Sequence, residues 1–156
     1  MTDARHPADP AVEQLRAAFP AMSIRAVDPG VPSYVIPVDQ VENVARFLKT
    51  TAGLDFNLLA SVTAIDYLDR FDVVYQLRSL ARGVDFIFRV EVDRDQAVVP
   101  SVTSVWRAAD FQEREIYDLM GIEFANHPNL KRILLYDEFD GHPLRKDWRL
   151  PAEPRT

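Results

Sequence analysis

The side chains best suited to chemistry lie in one charged stretch, between residues 113 and 147 of the chain. The candidates considered for proton exchange or metal binding are Glu113, Glu115, Asp118, His127 and His142. Paired carboxylates can do general acid–base work, and histidine with carboxylate oxygens is a common set of metal ligands. This stretch is therefore where a function should be sought first.

The acidic residues are spaced unfavourably for acid–base catalysis. On a helix, Glu113 and Glu115 point roughly 200° apart and cannot flank one substrate. Glu113 with Tyr117, and Arg114 with Asp118, do share a face. This pattern favours a solvated helix with weak surface ion pairs. A small acid–base hydrolase, using Glu113 or Glu115 with a histidine, stays an alternative if one acid is buried in a pocket.

Metal and cofactor chemistry find little support in the residue types. His127 and His142 are 15 positions apart and each precedes a proline, which favours turns with locally hydrogen-bonded imidazoles. The chain has no cysteine, so it offers no thiolate for a nucleophile, a zinc site or an iron–sulfur cluster. It has no glycine-rich phosphate loop and no Gly-x-Ser-x-Gly motif. We predict no catalytic residue, no metal and no cofactor on this chain.

Composition indicates one globular domain. The chain has 156 residues, of which 47% are hydrophobic and 27% charged. Its net charge of −6 argues against nucleic-acid binding, which needs a basic surface. No apolar run approaches the roughly 20 residues of a membrane span, and the first residues lack a signal-peptide pattern. We expect contact with a membrane only through partners.

Periodicity predicts a series of helices and strands that must position the charged stretch. Helices are predicted at residues 10–19 after an Asp9 cap, at 40–51 after an Asp39 cap, and at 106–120. An alternating hairpin is predicted from strands at 71–78 and 84–92. Further strands are predicted at 22–27, at 34–38 on a sheet edge beside Pro32 and Pro37, at 56–65 in the sheet centre, and at 98–105 as an addition to that sheet.

The element order is not a regular βαβ alternation. It predicts the α+β class, with helices packed on a mostly antiparallel sheet, for residues 1–120, of which 1–8 are a loose tail. Residues 121–156 are predicted to form an extended C-terminal arm. Ordering such an arm is costly unless it docks on something, and its charges suit contacts with a partner. The sequence therefore favours a subunit of an assembly.

The charged stretch also resembles a known family. The matching residues are Glu113-Arg114-Glu115, Asp118-Leu119-Met120-Gly121-Ile122, Phe124, His127-Pro128, Leu130, Arg132-Ile133-Leu134 and Gly141-His142-Pro143-Leu144-Arg145-Lys146-Asp147. Together they are similar to the signature of the 30-kDa subunit family of respiratory complex I. In bacteria this family is the C subunit of the proton-translocating NADH–quinone oxidoreductase. The resemblance covers about residues 35–150.

The resemblance implies a non-catalytic structural subunit of the peripheral arm, on the cytoplasmic side of the inner membrane. Such a subunit positions redox subunits for electron transfer from NADH to quinone. The implied partners are the 49-kDa-type subunit and the subunit that holds the terminal cluster, while FMN and the iron–sulfur clusters belong to partner subunits. An alternative is the equivalent subunit of a complex I-related membrane-bound hydrogenase or formate hydrogenlyase.

Ten charged residues of the stretch are candidates for contacts with a partner or for locking the fold. They are Glu113, Arg114, Glu115, Asp118, His127, Arg132, His142, Arg145, Lys146 and Asp147.

Overall fold

The computed structural model describes residues 9–27 and 31–152. The loose tail predicted for residues 1–8 lies outside the described residues.

The described residues contain three α-helices, α1 (Pro10–Ala18), α2 (Val41–Thr50) and α3 (Ala109–Met120). Asp9 caps α1 as predicted, because its carboxylate accepts the Ala11 N–H. The predicted Asp39 cap of α2 is wrong, since Asp39 lies in a 3₁₀ turn (Val38–Gln40) that precedes the helix. The third helix starts three residues later than predicted because Trp106 closes a turn, its N–H bonding the Val102 carbonyl.

In the described part of the chain the main sheet has five strands, β1 (Arg25–Val27), β2 (Ser33–Val35), β3 (Leu58–Asp66), β4 (Arg70–Ser79) and β5 (Val84–Asp93). Their spatial order is β1-β2-β5-β4-β3, and every pairing is antiparallel except that of β2 with β5. The predicted fold class, helices packed on a mostly antiparallel sheet, is confirmed.

Two predicted strand positions are wrong. The strand β3 lies at an edge of the sheet and not at its centre, and β2 lies inside the sheet and not at its edge. Pro32 and Pro37 do not keep β2 out of the interior because both lie outside the three residues that pair. The run of β3 is apolar enough for a centre strand, but its outward side chains, such as Thr63 and Ile65, are exposed.

The helices cover one face of the sheet, where an aromatic core lies. Tyr75 stacks on Phe88 with ring centroids 4.6 Å apart, and Tyr34 stacks on Phe86 at 5.4 Å. Phe71 packs in the same layer with no exposed surface. These rings form a tightly packed layer beneath α3 and the chain that follows it.

A second, two-stranded sheet joins β6 (Val98–Pro100) and β7 (Glu123–Ala125) in parallel. The prediction that residues 98–105 extend the main sheet is therefore wrong. Ile122 and Phe124 are buried beside this pairing. The pairing therefore attaches the start of residues 121–152, the C-terminal segment, to the rest of the domain. Residues 126–152 form turns and irregular chain. Their predicted role as a partner-binding arm stays a prediction.

Candidate functional site

Three of the four acids of α3, namely Glu113, Glu115 and Asp118, lie in different environments. Glu113 and Asp118 have no exposed surface, whereas Glu115 is exposed. Glu113 and Glu115 thus point apart, as their spacing predicts. The prediction of a solvated helix is wrong, because Glu113 and Asp118 lie on its buried side and make specific contacts there.

Asp118 is a hub that holds the C-terminal segment on α3. Its Oδ2 accepts the N–H groups of Ile133, Leu134 and Leu135 at 3.1, 2.8 and 2.9 Å, and its Oδ1 lies 3.0 Å from Arg132 Nη1. Burial raises the pKa of this carboxyl, but the three N–H donors and Arg132 outweigh burial and hold the pKa below its ordinary value. The ionised carboxylate therefore fixes the path of residues 132–135.

Two arginines reinforce this attachment. Arg132 also donates from Nη2 to the Gly141 carbonyl at 3.2 Å, and its guanidinium lies 5.8 Å from the Phe139 ring centre. Arg114 donates to the carbonyls of Lys131 and Arg132 at 3.1 and 3.2 Å. The chain from 131 to 141 is thus bound to α3 from two sides.

The C-terminal end of α3 is capped by Gly121 together with three residues of the Gly-His-Pro-Leu-Arg sequence at 141–145. A helix leaves its last four carbonyls without intrahelical donors. Here each of the four carbonyls accepts one hydrogen bond. Gly121 N–H donates to the Tyr117 carbonyl and His142 Nδ1–H to the Asp118 carbonyl, both at 2.9 Å. Leu144 N–H donates to the Leu119 carbonyl at 3.0 Å and Arg145 Nε–H to the Met120 carbonyl at 2.7 Å. The positive charge of Arg145 also faces the negative end of the helix dipole. This motif therefore serves as a helix cap.

Gly121 allows this cap to form, because its backbone is left-handed and it has no side chain to collide with the capping residues. Its φ is 72°, and an added Cβ would lie 2.6 Å from His142 Cδ2 and 2.7 Å from Arg145 Nη2. We expect Gly121→Ala to lower the free energy of unfolding by roughly 1–3 kcal/mol, measured by urea denaturation.

The matched control for this change is Gly83→Ala, because Gly83 has a φ of 65° and nothing within 4 Å of the added Cβ. It reports backbone strain alone. Equal losses in the two variants would show that Gly121 does not matter for the cap.

A second anchor lies at the end of β3. The Asp66 carboxylate accepts the Lys146 N–H at 2.9 Å and the Leu68 N–H at 2.7 Å, and it pairs with Arg94. Burial raises the pKa of Asp66, but these donors outweigh burial and lower it overall. Arg94 also lies 2.8 Å from Asp147, whose side chain is largely exposed. Lys146 is therefore held by its backbone, and Asp147 by an ion pair.

The sequence analysis did not single out Asp66 or Arg94. A signal for Asp66 was present, because its position alternates in phase with the buried Val62 on the core side of β3. Arg94 carries no comparable signal. It stacks on Phe71 at 4.7 Å, beside Arg145 at 5.2 Å, which only the fold brings together.

Glu113 forms a buried polar cluster with the chain that follows β6. It accepts the Val102 N–H at 2.8 Å and the Ser101 hydroxyl at 2.7 Å, and His127 Nε2 lies 3.9 Å away. Burial raises the pKa of the Glu113 carboxyl from 4.5 to about 7, although the two hydrogen bonds oppose this shift. His127 Nε2 lies 3.2 Å from the Asp110 carbonyl. The carboxyl can therefore gain or lose a proton near neutral pH.

The predicted local hydrogen bond is present at His127 and absent at His142, whose Nδ1 bonds the Asp118 carbonyl 24 residues away. His127 Nδ1 accepts the Asn129 N–H at 3.0 Å, so the neutral ring carries its proton on Nε2. The side chains of His127 and Glu113 both have 0% exposure, so a substrate cannot reach the pair that most resembles an acid–base site. Within residues 9–27 and 31–152, no three His, Asp or Glu side chains are grouped to hold a metal.

Comparison with known proteins identifies the group of proteins to which this architecture belongs. The family described as respiratory-chain NADH dehydrogenase, 30 Kd subunit, matches residues 34–154. The chain belongs to this family. The resemblance seen in the sequence is thereby confirmed.

Two relatives, each named as the C subunit of NADH-quinone oxidoreductase, support the same assignment. The protein of Moorella thermoacetica is 46% identical over 145 residues, covering 91% of this chain and 95% of the relative. That of Roseiflexus sp. is 40% identical over 146 residues, covering 91% and 84%. This chain is accordingly a member of the 30-kDa subunit family of an enzyme complex.

Two solved structures share the fold. A trypsin-resistant fragment of Nqo5 has a TM-score of 0.62 at 34% identity and covers 77% of this chain and 99% of the fragment. A chain of the membrane-bound sulfane sulfur reductase, an archaeal respiratory membrane complex, has a TM-score of 0.73, 23% identity, and coverage of 89% and 84%. None of the helices in the described part of this family member has the length and apolar character needed to cross a bilayer.

The C-terminal segment of this 30-kDa family member also presents apolar side chains to solvent. They include Leu134, Tyr136, Leu144 and Leu150, exposed by 61, 65, 59 and 79%. Their exposure follows from the fixed backbone, whose N–H groups at 133–135 face Asp118. The segment therefore combines a rigid attachment with an apolar outer side.

Proposed function

We propose that this chain is a non-catalytic structural subunit of the peripheral arm of a proton-translocating NADH–quinone oxidoreductase. It lies on the cytoplasmic side of the inner membrane and holds redox subunits in register for electron transfer from NADH to quinone. FMN and the iron–sulfur clusters lie on partner subunits. Family membership and the relatives named as the C subunit of NADH-quinone oxidoreductase support this proposal.

The observation that carries the proposal is how the charged residues of the family motif are used. Asp118 is occupied by four donors, and Arg132, His142 and Arg145 donate to the backbone around α3. A catalytic group must contact substrate, but these groups are already committed to contacts within the chain. These contacts hold the backbone of the C-terminal segment in one conformation.

The partner-binding side of the segment is then its apolar outer side. Exposed apolar side chains in such a group are typical of protein–protein interfaces. A rigid segment loses less conformational entropy on binding than a flexible one, which favours a stable assembly. The partners we propose for this side are the 49-kDa-type subunit and the subunit that holds the terminal cluster.

The proposal favours the complex I subunit over the equivalent subunit of a membrane-bound hydrogenase or formate hydrogenlyase. The two relatives of 46% and 40% identity both bear the name of the NADH-quinone oxidoreductase. The likeness to the sulfane sulfur reductase chain, at 23% identity, concerns the fold alone.

A charge placed on the apolar side tests the proposal. We expect Leu134→Asp to prevent this chain from co-purifying with the other subunits of the oxidoreductase and to abolish NADH-driven quinone reduction in membranes. A buried interface does not accept an unpaired carboxylate. Leu80→Asp is the matched control, because Leu80 is also 61% exposed but lies between β4 and β5.

Both variants should leave the unfolding of the free chain unchanged, since both side chains are exposed. A Leu134→Asp complex that assembles and reduces quinone like the Leu80→Asp complex would overturn the proposal. The point variant is preferable to deletion of residues 121–156, which would also remove the cap of α3.

A further inference from the structure

The outer edge of β3 carries backbone groups that the described chain does not use. Val62 N–H donates to the Gln112 side-chain oxygen at 2.7 Å, so this residue points away from β4. In an antiparallel ladder this orientation recurs at every second residue, and Ala64 therefore also turns its N–H and C=O outward. Within the described ranges β3 pairs with β4 alone. Such an edge is a template for another strand.

A groove runs along this edge. It has a volume of about 320 Å³ and lies between residues 61–64 of β3 and the side of α3 that carries Glu115, Ile116 and Leu119. Leu144 lines the groove as well. Most of the lining is apolar, and the four residues of edge would pair with a strand segment roughly 13 Å long.

Gln112 occupies one hydrogen-bonding position of the edge, that of Val62. Its amide oxygen holds the Val62 N–H, and its amide nitrogen donates to the Ala108 carbonyl at 3.1 Å. The side chain is therefore fixed from both ends and protects one edge N–H, while Ala64 stays available to an incoming strand.

The groove also carries an uncompensated charge. Glu115 is exposed, and no Lys, Arg or His in the described part of the chain lies within ion-pair distance of it. A basic side chain on the incoming segment would supply the missing charge. A second copy of this chain would bring two Glu115 carboxylates and two α3 helices to one interface, which like-charge repulsion and crowding oppose.

We propose that the edge of β3 binds an extended segment of a partner subunit as a sixth strand, with a basic side chain of that segment beside Glu115. This surface meets the apolar side of residues 134–150 at Leu144, but its strand edge and Glu115 are not part of that side, and the site goes beyond the function proposed above. Main-chain hydrogen bonds to Ala64 fix the strand, and Ile116 and Leu119 receive its apolar side chains.

Hydrogen exchange tests the proposal without any substitution. The full chain alone is compared with the chain in the assembled complex, by mass spectrometry with fragmentation that separates the Thr63 and Ala64 amides. We expect exchange at Ala64 to slow by roughly tenfold or more on assembly, and that at Thr63, already bonded to β4, to change little. Unchanged exchange at Ala64 would overturn the proposal.

Two variants test the same surface. Ala64→Pro removes only an outward N–H, and Glu115→Lys reverses the charge in the groove. Each should lower co-purification with the partner subunits by roughly tenfold, an effect on partner affinity, while the free chain keeps its melting temperature. The control is Glu13→Lys on the exposed side of α1, which should co-purify normally. Normal co-purification of Glu115→Lys would contradict the charge match.

The outcomes separate this proposal from the proposed function. If Leu134→Asp blocks assembly while Ala64 exchange and Glu115→Lys show no effect, the structural role stands and the strand-addition site does not. If the Ala64 amide becomes protected in the purified chain at high concentration, the occupant is a second copy and the proposal is wrong.

Discussion

Replacement of Asp118 by alanine should lower the free energy of unfolding by about 3–5 kcal/mol, since it breaks a buried ion pair and leaves its partners in place. Three backbone N–H groups, those of residues 133–135, would lose their acceptor together with the Arg132 guanidinium. Each buried donor left unpaired is destabilising in its own right. Urea denaturation followed by circular dichroism measures the loss.

Two controls separate the effects that this substitution combines. One keeps the shape of the side chain and removes its charge, and the other removes an exposed carboxylate instead of a buried one. Asp118→Asn keeps the size and one acceptor oxygen, so its loss should be smaller than that of alanine. Asp147→Ala removes a carboxylate that is 62% exposed, and its effect should stay within about 0.5 kcal/mol. Similar losses in Asp118→Ala and Asp147→Ala would show that Asp118 is not a hub.

A local measurement adds to the global one. Because Asp118 fixes residues 132–135, its loss should free the chain around Lys131 and Arg132, and trypsin should cut there sooner than in the Asp118→Asn variant. Cleavage at the same rate in both would place the destabilisation elsewhere.

The parts of the fold that depend on local pattern could be predicted from the sequence. The Asp9 cap of α1 and the hairpin of β4 and β5 rest on residues close in the chain. The positions of β2 and β3 in the sheet could not be predicted, because their partners are far away in sequence. The parallel pairing of Tyr34 with Phe88 is an example, since no turn signal connects the two.

The candidate site shows the same division. The spacing of Glu113 and Glu115 predicts that they point apart, but not which of them is buried. That depends on Ser101 and Val102, which bond Glu113 and follow directly after β6, the strand that pairs with β7. Likewise the bond between Lys146 and Asp66 joins residues 80 positions apart. The motif therefore marks the site, and its contacts follow from the tertiary structure.

Glu113 should make the stability of the chain depend on pH between about 4.5 and about 7. Its pKa is raised from 4.5 to about 7 by burial, so the folded state binds this proton more tightly than the unfolded state does. The contribution is fully present below pH 4.5, falls as the pH rises to about 7, and is lost above it. Over this window the free energy of unfolding should fall by about 3 kcal/mol.

Other groups affect the free energy of unfolding in a different pH range, or their effect cancels when two variants are compared at the same pH. The lowered pKa values of Asp66 and Asp118 remove stability only as the pH falls below the ordinary value of 3.8. His127 and Asp110 border the same cluster and are present in every variant compared. A comparison of variants at each pH is therefore needed, and the groups other than Glu113 are common to both.

Glu113→Gln is the variant that isolates this carboxyl. The amide keeps the shape and one acceptor oxygen for the Val102 N–H but cannot ionise, so stability should change far less between pH 5 and 8 than in the unaltered chain. Glu115→Gln, at the exposed acid two residues away, should keep the full dependence. If Glu113→Gln keeps the full dependence as well, the pH response does not come from the Glu113 carboxyl and the prediction is wrong.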